Sequence, residues 1–307
     1  MKASAIALRV IALTIILFVC FAAAGAVIGP QTNPQTPERS GAAAIALLTV
    51  CLLDTLVLTH IILRSRWAGL RLMATVFIVF YGVMTFMSQI ESAVFLTRLP
   101  SGTLPRLFLM GALIAAPYSV LAVLILGKAK ADTAQVEGNA RVVTPISEWM
   151  WKLAVIVLAY LILYFTFGYF IAWRNPALRE FYGGIDEGSF LAHMRAVFRD
   201  APWLIPFQIM RAVLWSVLAL LVIRMMKGSW KETALAIGLL FAVLGSAALL
   251  IPNPFMPEAV RMTHLIETAS SNFIFGMLVG WLLARRQLSR VSKRVNNFET
   301  TERSSLV

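Results

Sequence analysis

The feature that most constrains this chain is a series of about eight apolar blocks, each roughly twenty residues long. A block of that length crosses the ~30 Å hydrocarbon core of a bilayer as an α-helix. Only helices and closed barrels satisfy every backbone hydrogen bond in lipid, and barrel strands would show a shorter, alternating pattern. Because these blocks are continuously apolar, the sequence predicts an all-α integral membrane protein.

The charge content excludes a soluble globular class. Charged residues make up 14% of the 307 residues and hydrophobic residues 59%, whereas a soluble domain carries roughly 25% charged residues. The net charge of +12 does not indicate a nucleic-acid partner, because Lys and Arg cluster at the ends of the apolar blocks, as they do in membrane proteins. The partner predicted from composition is therefore the lipid bilayer.

Residues 1–290 are predicted to form a single bundle of about eight transmembrane helices, and 291–307 a short basic cytoplasmic tail. The predicted spans are residues 10–29, 43–63, 72–92, 107–127, 153–173, 203–223, 233–252 and 265–284. Prolines crowd several of the intervening segments, as expected where helices end.

The distribution of basic residues predicts the orientation of this bundle. If the N-terminus is inside, 18 of the 27 Lys and Arg residues fall in inner segments and 8 in outer ones, and Arg211 lies within a span. Inner loops of membrane proteins are enriched in Lys and Arg. The pattern therefore predicts that both termini are cytoplasmic. The absence of an Asn-x-Ser/Thr sequon agrees with a bacterial protein, and the predicted location is the inner membrane.

The first block also has features of a cleaved signal peptide, with Lys2 at its start and small residues at 22–24. The apolar stretch after Arg9 reaches Ile28 and is long enough to span, and Val19 precedes Cys20 where a lipoprotein signal has a small residue. These features favour a retained first helix. Cleavage would leave seven spans with the same loop orientation.

Two ionisable residues lie deep within predicted spans, where charge is costly and usually functional. Asp54 lies about ten residues from either end of span 2, and Arg211 about thirteen residues from the inner end of span 6. Their depths match within a few Å, so we expect Asp54 to be the first candidate partner of Arg211, followed by Glu267 and Glu91. Such a pair could equally serve only to fix helix register.

Further polar residues gather near the outer ends of the spans. Gln208 lies one turn from Arg211, and His264 and Glu267 lie one turn apart. The sequence thus predicts a candidate polar cavity, open to the outside and lined by Asp54, Glu91, Gln208, Arg211, His264 and Glu267. An Arg in such a cavity suits a carboxylate or phosphate, so an anionic small molecule or a lipid head group is the predicted ligand. Ordinary solvation at the membrane edge is the alternative for Glu91 and His264.

Span 8 carries a stripe of small residues at four-residue spacing, namely Asn272, Gly276 and Gly280, followed by Ala284. Such a stripe allows close approach of another helix, so we interpret it as a packing surface. No phosphate loop, zinc motif or nucleophile elbow occurs. The three histidines are spread over different depths. No metal or other cofactor is predicted.

The long outer segment between spans 5 and 6 predicts a short amphipathic helix. Phe190, Met194 and Phe198 recur at helical spacing, with His193 elsewhere on the wheel. Residues 188–199 should therefore lie on the outer surface as a packed loop or a lid, with the three apolar residues against the bundle or the bilayer. Asn175-Pro176 and Asn253-Pro254 share letters with the aquaporin signature, but both fall on the outer side. We interpret them as turns or helix starts.

Three functions remain open at this point. The first is a permease-like or ligand-binding membrane protein with the polar cavity just described. The second is a non-catalytic assembly or sensor subunit, in which the buried charges only fix register. The third is a membrane-embedded enzyme acting on a lipid-type substrate, with Glu267 or Glu91 as acid/base, His264 assisting and Arg211 holding phosphate. Polar motifs are sparse for an enzyme of this kind.

Overall fold

The structure is a computed structural model, and it describes residues 3–28, 37–96, 99–130, 146–253 and 255–285. Within these ranges the chain is 85% helical and contains no strand. Eight described helical segments are long and apolar enough to cross a membrane. The predicted all-α class and the number of candidate spans are therefore confirmed. The predicted tail, 291–307, lies outside the described residues.

Eleven α-helices follow one another along the described chain. They are α1 (Ala3–Ile28), α2 (Pro37–Leu63), α3 (Gly69–Tyr81), α4 (Met87–Phe95), α5 (Thr103–Ile125), α6 (Ile146–Phe167), α7 (Pro176–Tyr182), α8 (Phe190–Asp200), α9 (Leu204–Met225), α10 (Trp230–Ser246) and α11 (Glu258–Ala284). Most helices extend beyond the predicted spans because apolarity marks the part that fits in lipid, while the backbone hydrogen bonds continue past it.

Two spans contain π-helical turns. Gly82–Phe86 joins α3 to α4, and Gly168–Trp173 continues α6 towards α7. A π turn inserts an extra residue and changes the face that the following residues present. The first π turn therefore sets the direction of the Glu91 side chain, which follows it, and the second sets that of Trp173, which lies within it. Both side chains lie at the same end of the bundle.

The closest helix pair is α10 with α11. A Cβ atom built on Gly280 would lie 2.4 Å from Ala234 Cα, and one on Gly276 would lie 2.7 Å from the Ile237 carbonyl oxygen. Asn272 lies against Gly245 at the other end of the same surface. The stripe Asn272, Gly276 and Gly280 thus faces α10 along its length, and the backbones approach where side chains are missing.

One end of the bundle carries three tight connections that are bonded to each other, and we call it the basic end. Lys227 N donates to the Arg64 carbonyl (2.7 Å), Arg66 N donates to the Met225 carbonyl (2.7 Å), and Lys128 Nζ donates to the Ser65 carbonyl (2.8 Å). The connections after α2, α5 and α9 therefore meet at the same end of the bundle. This is the arrangement expected for helices that cross a layer alternately.

The opposite end, the capped end, carries α7 and α8. Asn175 caps α7 by accepting from Ala177 N, in agreement with the helix-start interpretation, and Asn253 accepts from Phe255 N and Met256 N in a turn. Trp173 Nε1 donates to the Ile185 carbonyl, and Tyr169 OH donates to the Gly188 carbonyl. These bonds fix the α7–α8 segment to the end of α6.

The predicted amphipathic helix is confirmed as α8, with one correction to its packing. Phe190 contacts the rings of Tyr169 and Phe170, and His193 contacts Tyr169 and Trp173. His193 therefore lies on the packed face rather than away from it. Phe198 is 56% exposed, so of its two predicted surroundings, the bundle and the bilayer, it does not pack on the bundle. The helical-wheel prediction was wrong for His193 because an imidazole that bonds to an acid, here Glu187, can be accommodated at a packed contact.

Candidate functional site

The structure brings five of the six predicted cavity residues together at the capped end. Glu91 comes from α4, Gln208 and Arg211 from one face of α9, and His264 and Glu267 from one face of α11. Tyr182, the last residue of α7, joins them. We call Glu91, Gln208, Arg211, His264, Glu267 and Tyr182 the capped-end cluster.

Arg211 is the centre of the first half of this cluster. Its two terminal nitrogens donate to the two carboxylate oxygens of Glu91 at 2.8 and 2.7 Å, and one of them also donates to Gln208 Oε1 at 3.1 Å. The Arg211 side chain is 6% exposed and that of Glu91 34% exposed. A bidentate pair of this kind is geometrically specific and stronger than a single contact. The Arg211 guanidinium thus lies inside the bundle, and the Glu91 carboxylate reaches the surface.

His264 is the centre of the second half. Its Nδ1 lies 2.9 Å from Glu267 Oε2, and its Nε2 lies 3.0 Å from the Tyr182 hydroxyl. Burial, followed by the negative charges of Glu91 and Glu267, raises the pKa of Tyr182. The hydroxyl therefore keeps its proton. Beside a neutral imidazole it donates to Nε2, and Nδ1–H donates to Glu267, whereas an imidazolium donates from both of its nitrogens. This hydroxyl–imidazole–carboxylate chain can hold or pass a proton.

The two halves form a single electrostatic unit. Glu91 interacts with His264 and with Tyr182 across the gap between them. Aromatic rings of α6 and α9 enclose the guanidinium: its Cζ lies 6.0 Å from the Tyr160 ring centroid and 5.9 Å from that of Phe207. Rings facing a guanidinium favour its charged form by a cation–π interaction. The site thus combines fixed charges with an aromatic wall.

Asp54 is not part of the capped-end cluster, and the expected Asp54–Arg211 pair is not formed. Glu91, ranked last among the three candidate partners, holds Arg211, while Glu267 bonds to His264. Matching depths suggested the wrong partner because depth does not determine which helices are neighbours. Glu91 belongs to the span formed by α3 and α4, and α3 packs against α9, whereas α2, which carries Asp54, packs chiefly on α1 and α10.

Tyr182 and Tyr160 belong to the site but were missed in the sequence. Tyr182 lies in a short helix outside the spans. The one sequence signal beside it was Gly183, which follows it and marks a helix end. Tyr160 precedes Tyr164 by one turn within an otherwise apolar span. That pair of hydroxyls at i, i+4 spacing was the available signal, since residues at this spacing share a helix face.

The cluster has unused donors as well as satisfied ones. Gln208 Nε2 and Arg211 Nε are buried and have no hydrogen-bond acceptor among the described residues. Buried polar groups are nearly always paired with protein, water or ligand. Metal ligation is a poorer fit, because no group of three or more His, Cys, Asp and Glu in the described chain could hold an ion.

An apolar groove lies elsewhere, between α6 and α9 nearer the basic end. It has a volume of about 200 Å³ and is lined by residues such as Trp149, Leu153, Val217 and Leu220. It contains none of the cluster residues. Comparison with protein-family models, curated proteins and solved structures gave no significant match.

Proposed function

We propose that this chain is a multi-pass inner-membrane protein of the ligand-binding, permease-like class, with the basic end and both termini in the cytoplasm. The basic end carries Arg64, Arg66, Lys128, Lys130 and Lys227 in its connections. Such enrichment is typical of cytoplasmic loops. In this orientation the capped-end cluster opens to the outside, where a solute or head group reaches it through Glu91.

The observation that carries the proposal is the pair of unused donors beside the Arg211–Glu91 bond. Gln208 is fully buried, and its Nε2 and Arg211 Nε point to no protein acceptor in the described ranges. Acceptor oxygens of a carboxylate or phosphate group would satisfy both donors, since guanidinium and amide N–H groups suit such anions. The ligand class that we propose is therefore a small anion or an anionic head group.

A second candidate function is a non-catalytic assembly or sensor subunit. The observation favouring it is that Arg211 already has an acidic partner, which is all that a register-fixing role requires. The two candidates differ in one respect. A ligand-binding protein needs Gln208 Nε2, whereas a register-fixing pair needs only Arg211 and Glu91.

The test is ligand-dependent thermal stability of the purified protein in detergent. Acetate, succinate and inorganic phosphate are titrated against chloride at equal ionic strength. A ligand that binds only the folded protein raises its melting temperature in a concentration-dependent way. We expect at least one of the three to do so in the wild type, and the shift to disappear in Gln208→Met.

Ser216→Ala is the matched control, because Ser216 is also buried on α9 but bonds only to the Ala212 carbonyl. Its anion response should equal that of the wild type. If no anion exceeds chloride, or if Gln208→Met responds like Ser216→Ala, the ligand-binding proposal is wrong and the assembly role gains.

A further inference from the structure

Among the described residues outside the capped-end cluster, Asp54 is the most deeply buried acidic side chain. It is 1% exposed on α2, about nine residues and roughly 14 Å from the end of that helix at the basic end. Both of its carboxyl oxygens are buried without a hydrogen-bond partner among the described residues. This environment is unlike that of Glu91 or Glu267, each of which bonds to a basic side chain.

The side chains around Asp54 offer it no positive charge. The titratable groups that interact with this region are Cys51 on α2 itself, Cys20 on α1 and Tyr118 on α5. Tyr118 donates its hydroxyl to Thr55 Oγ1 at 3.0 Å rather than to Asp54.

The other elements packed on α2 provide no partner for Asp54 either. In their described parts, α1 carries Arg9 besides Cys20, α3 carries Arg71 and Tyr81, and α10 carries Lys231 and Glu232, while the turn Ala247–Leu250 carries no ionisable residue. On α2 itself, His60 lies near the end of the helix at the basic end. Neither carboxyl oxygen of Asp54 has a hydrogen-bond partner among the described residues, whereas Glu232 is paired with Arg64 and lies at the start of α10.

An isolated carboxylate in such a place costs far more free energy than the neutral acid, so the carboxyl group neutralises itself by binding a proton. A metal ion would need several further oxygen, nitrogen or sulfur ligands. The described residues contain no group of three acidic, His or Cys side chains that could supply them. The proton is the cation that needs no other ligand.

We infer that Asp54 is a proton-binding site in the interior of the bundle, independent of the anion site at the capped end. One proton from water binds one carboxylate oxygen and gives the neutral acid, with no change in oxidation state. The neutral acid fits the packing of α2 described above. Release of the proton leaves a carboxylate that requires water, so deprotonation favours a different packing of α2 against its neighbours.

Infrared difference spectroscopy tests protonation directly. A protonated carboxyl group has a carbonyl stretch that is distinct from the bands of a carboxylate and of the amide backbone. In the purified protein at neutral pD we expect such a band, and we expect Asp54→Asn to remove it while Glu91→Gln retains it. The band should disappear reversibly as the pD is raised. If Asp54→Asn leaves the band unchanged, or if it persists at every alkaline pD at which the protein stays folded, the inference is wrong.

Thermal stability gives a second readout that does not depend on the anion site. The folded protein holds a proton that the unfolded chain releases at neutral pH, so its melting temperature should fall as pH rises. Asp54→Asn, which matches the neutral acid in size, should flatten this slope, and Gln208→Met should not. Exchange of Na⁺ for K⁺ at constant ionic strength should have no effect. A Na⁺-specific stabilisation lost in Asp54→Asn would identify an alkali-cation site and overturn the proton assignment.

Discussion

Arg211 and Glu91 stabilise each other's charge, but losing Glu91 should cost more free energy of unfolding than losing Arg211. Arg211 is 6% exposed, so Glu91→Met leaves a guanidinium in the interior, which costs about 3–5 kcal/mol. Arg211→Met should cost less, about 1–3 kcal/mol, because Glu91 reaches the surface. The double variant should lose less than the sum of the two. The measurement is a double-mutant cycle of unfolding free energy in detergent, with a coupling of at least about 1 kcal/mol expected.

Asp54 supplies the matched control for this cycle. Asp54→Asn combined with Arg211→Met should be additive within about 0.5 kcal/mol, because the two side chains share no bond. Strong coupling between Asp54 and Arg211, together with none between Glu91 and Arg211, would contradict the arrangement of the capped-end cluster.

Five of the six residues of this cluster could be found from the sequence, but Tyr182 was missed and the acid that pairs with Arg211 was predicted wrongly. Ionisable groups in apolar spans are conspicuous, and spacing placed Gln208 with Arg211 and His264 with Glu267. Which acid meets Arg211 depends on the order of helices around the bundle. Hydropathy carries no information on that order, and the π turn Gly82–Phe86 further changes the direction of Glu91.

The close contact of α10 with α11 depends on Gly280, which has no side chain. Gly280→Ala adds a Cβ that would lie 2.4 Å from Ala234 Cα, so the backbones must separate. We expect a loss of about 1–3 kcal/mol, as for other overpacked interiors. Gly25→Ala in α1 is the control, because its Cβ meets no atom within 4 Å. It should be neutral or stabilising by up to about 1 kcal/mol. Thermal unfolding in detergent distinguishes the two, and equal effects would contradict this packing.

The docking of α8 depends on Glu187, which lies outside the spanning helices. Burial alone would raise the pKa of Glu187, but hydrogen bonds from His193 and from the backbone outweigh it and lower that pKa below its usual value. A lowered folded-state pKa gives stability that is present above the ordinary carboxyl range and lost as pH falls through the folded-state pKa. Docking should therefore hold at neutral pH and weaken in acid.

Glu187→Gln mimics that acid form at neutral pH. We expect trypsin to cleave after Arg195 and Arg199 faster than in the wild type, while global stability changes by less than about 0.5 kcal/mol, since α8 contains no fully buried residue. Asp200→Asn, at the exposed end of the same helix, should leave the rate of cleavage after Arg195 unchanged. Cleavage after Arg199 is not compared in this control, because Asp200 forms the scissile bond and pairs with Arg199. Equal rates in all three proteins would mean that Glu187 does not hold α8.

For the whole molecule, the proposed orientation can be tested by labelling single cysteines in intact cells. Leu191→Cys on α8 and Lys130→Cys at the basic end are both exposed. In a background without Cys20 and Cys51, a membrane-impermeant maleimide should label Leu191→Cys at once and Lys130→Cys only after permeabilisation. A reporter that fluoresces only in the cytoplasm should be bright when fused to Val307. The reverse labelling pattern would invert the topology.

The architecture divides into a part that apolarity determines and a part that contacts determine. Lipid demands long apolar helices, so the spans follow from hydropathy and their ends from prolines and caps such as Asn175. The helix neighbours follow from side-chain shape, as in the contact of Gly276 with Ile237, and from the bonds that join the connections at the basic end. The amino-acid sequence alone does not contain those distances.

The backbone contact between α10 and α11 also determines where the molecule can bend. Two helices held together by their main chains move as one rigid body, because sliding would drive Ala234 into Gly280. The interface of α6 with α9 has an apolar groove of about 200 Å³ and therefore more freedom. Leu283 of α11 also lines this groove, so we expect a hinge or rocking motion to shift α9 relative to the α10–α11 unit. That boundary runs between Arg211 on α9 and Glu267 on α11, so such a motion would open the capped-end cluster itself.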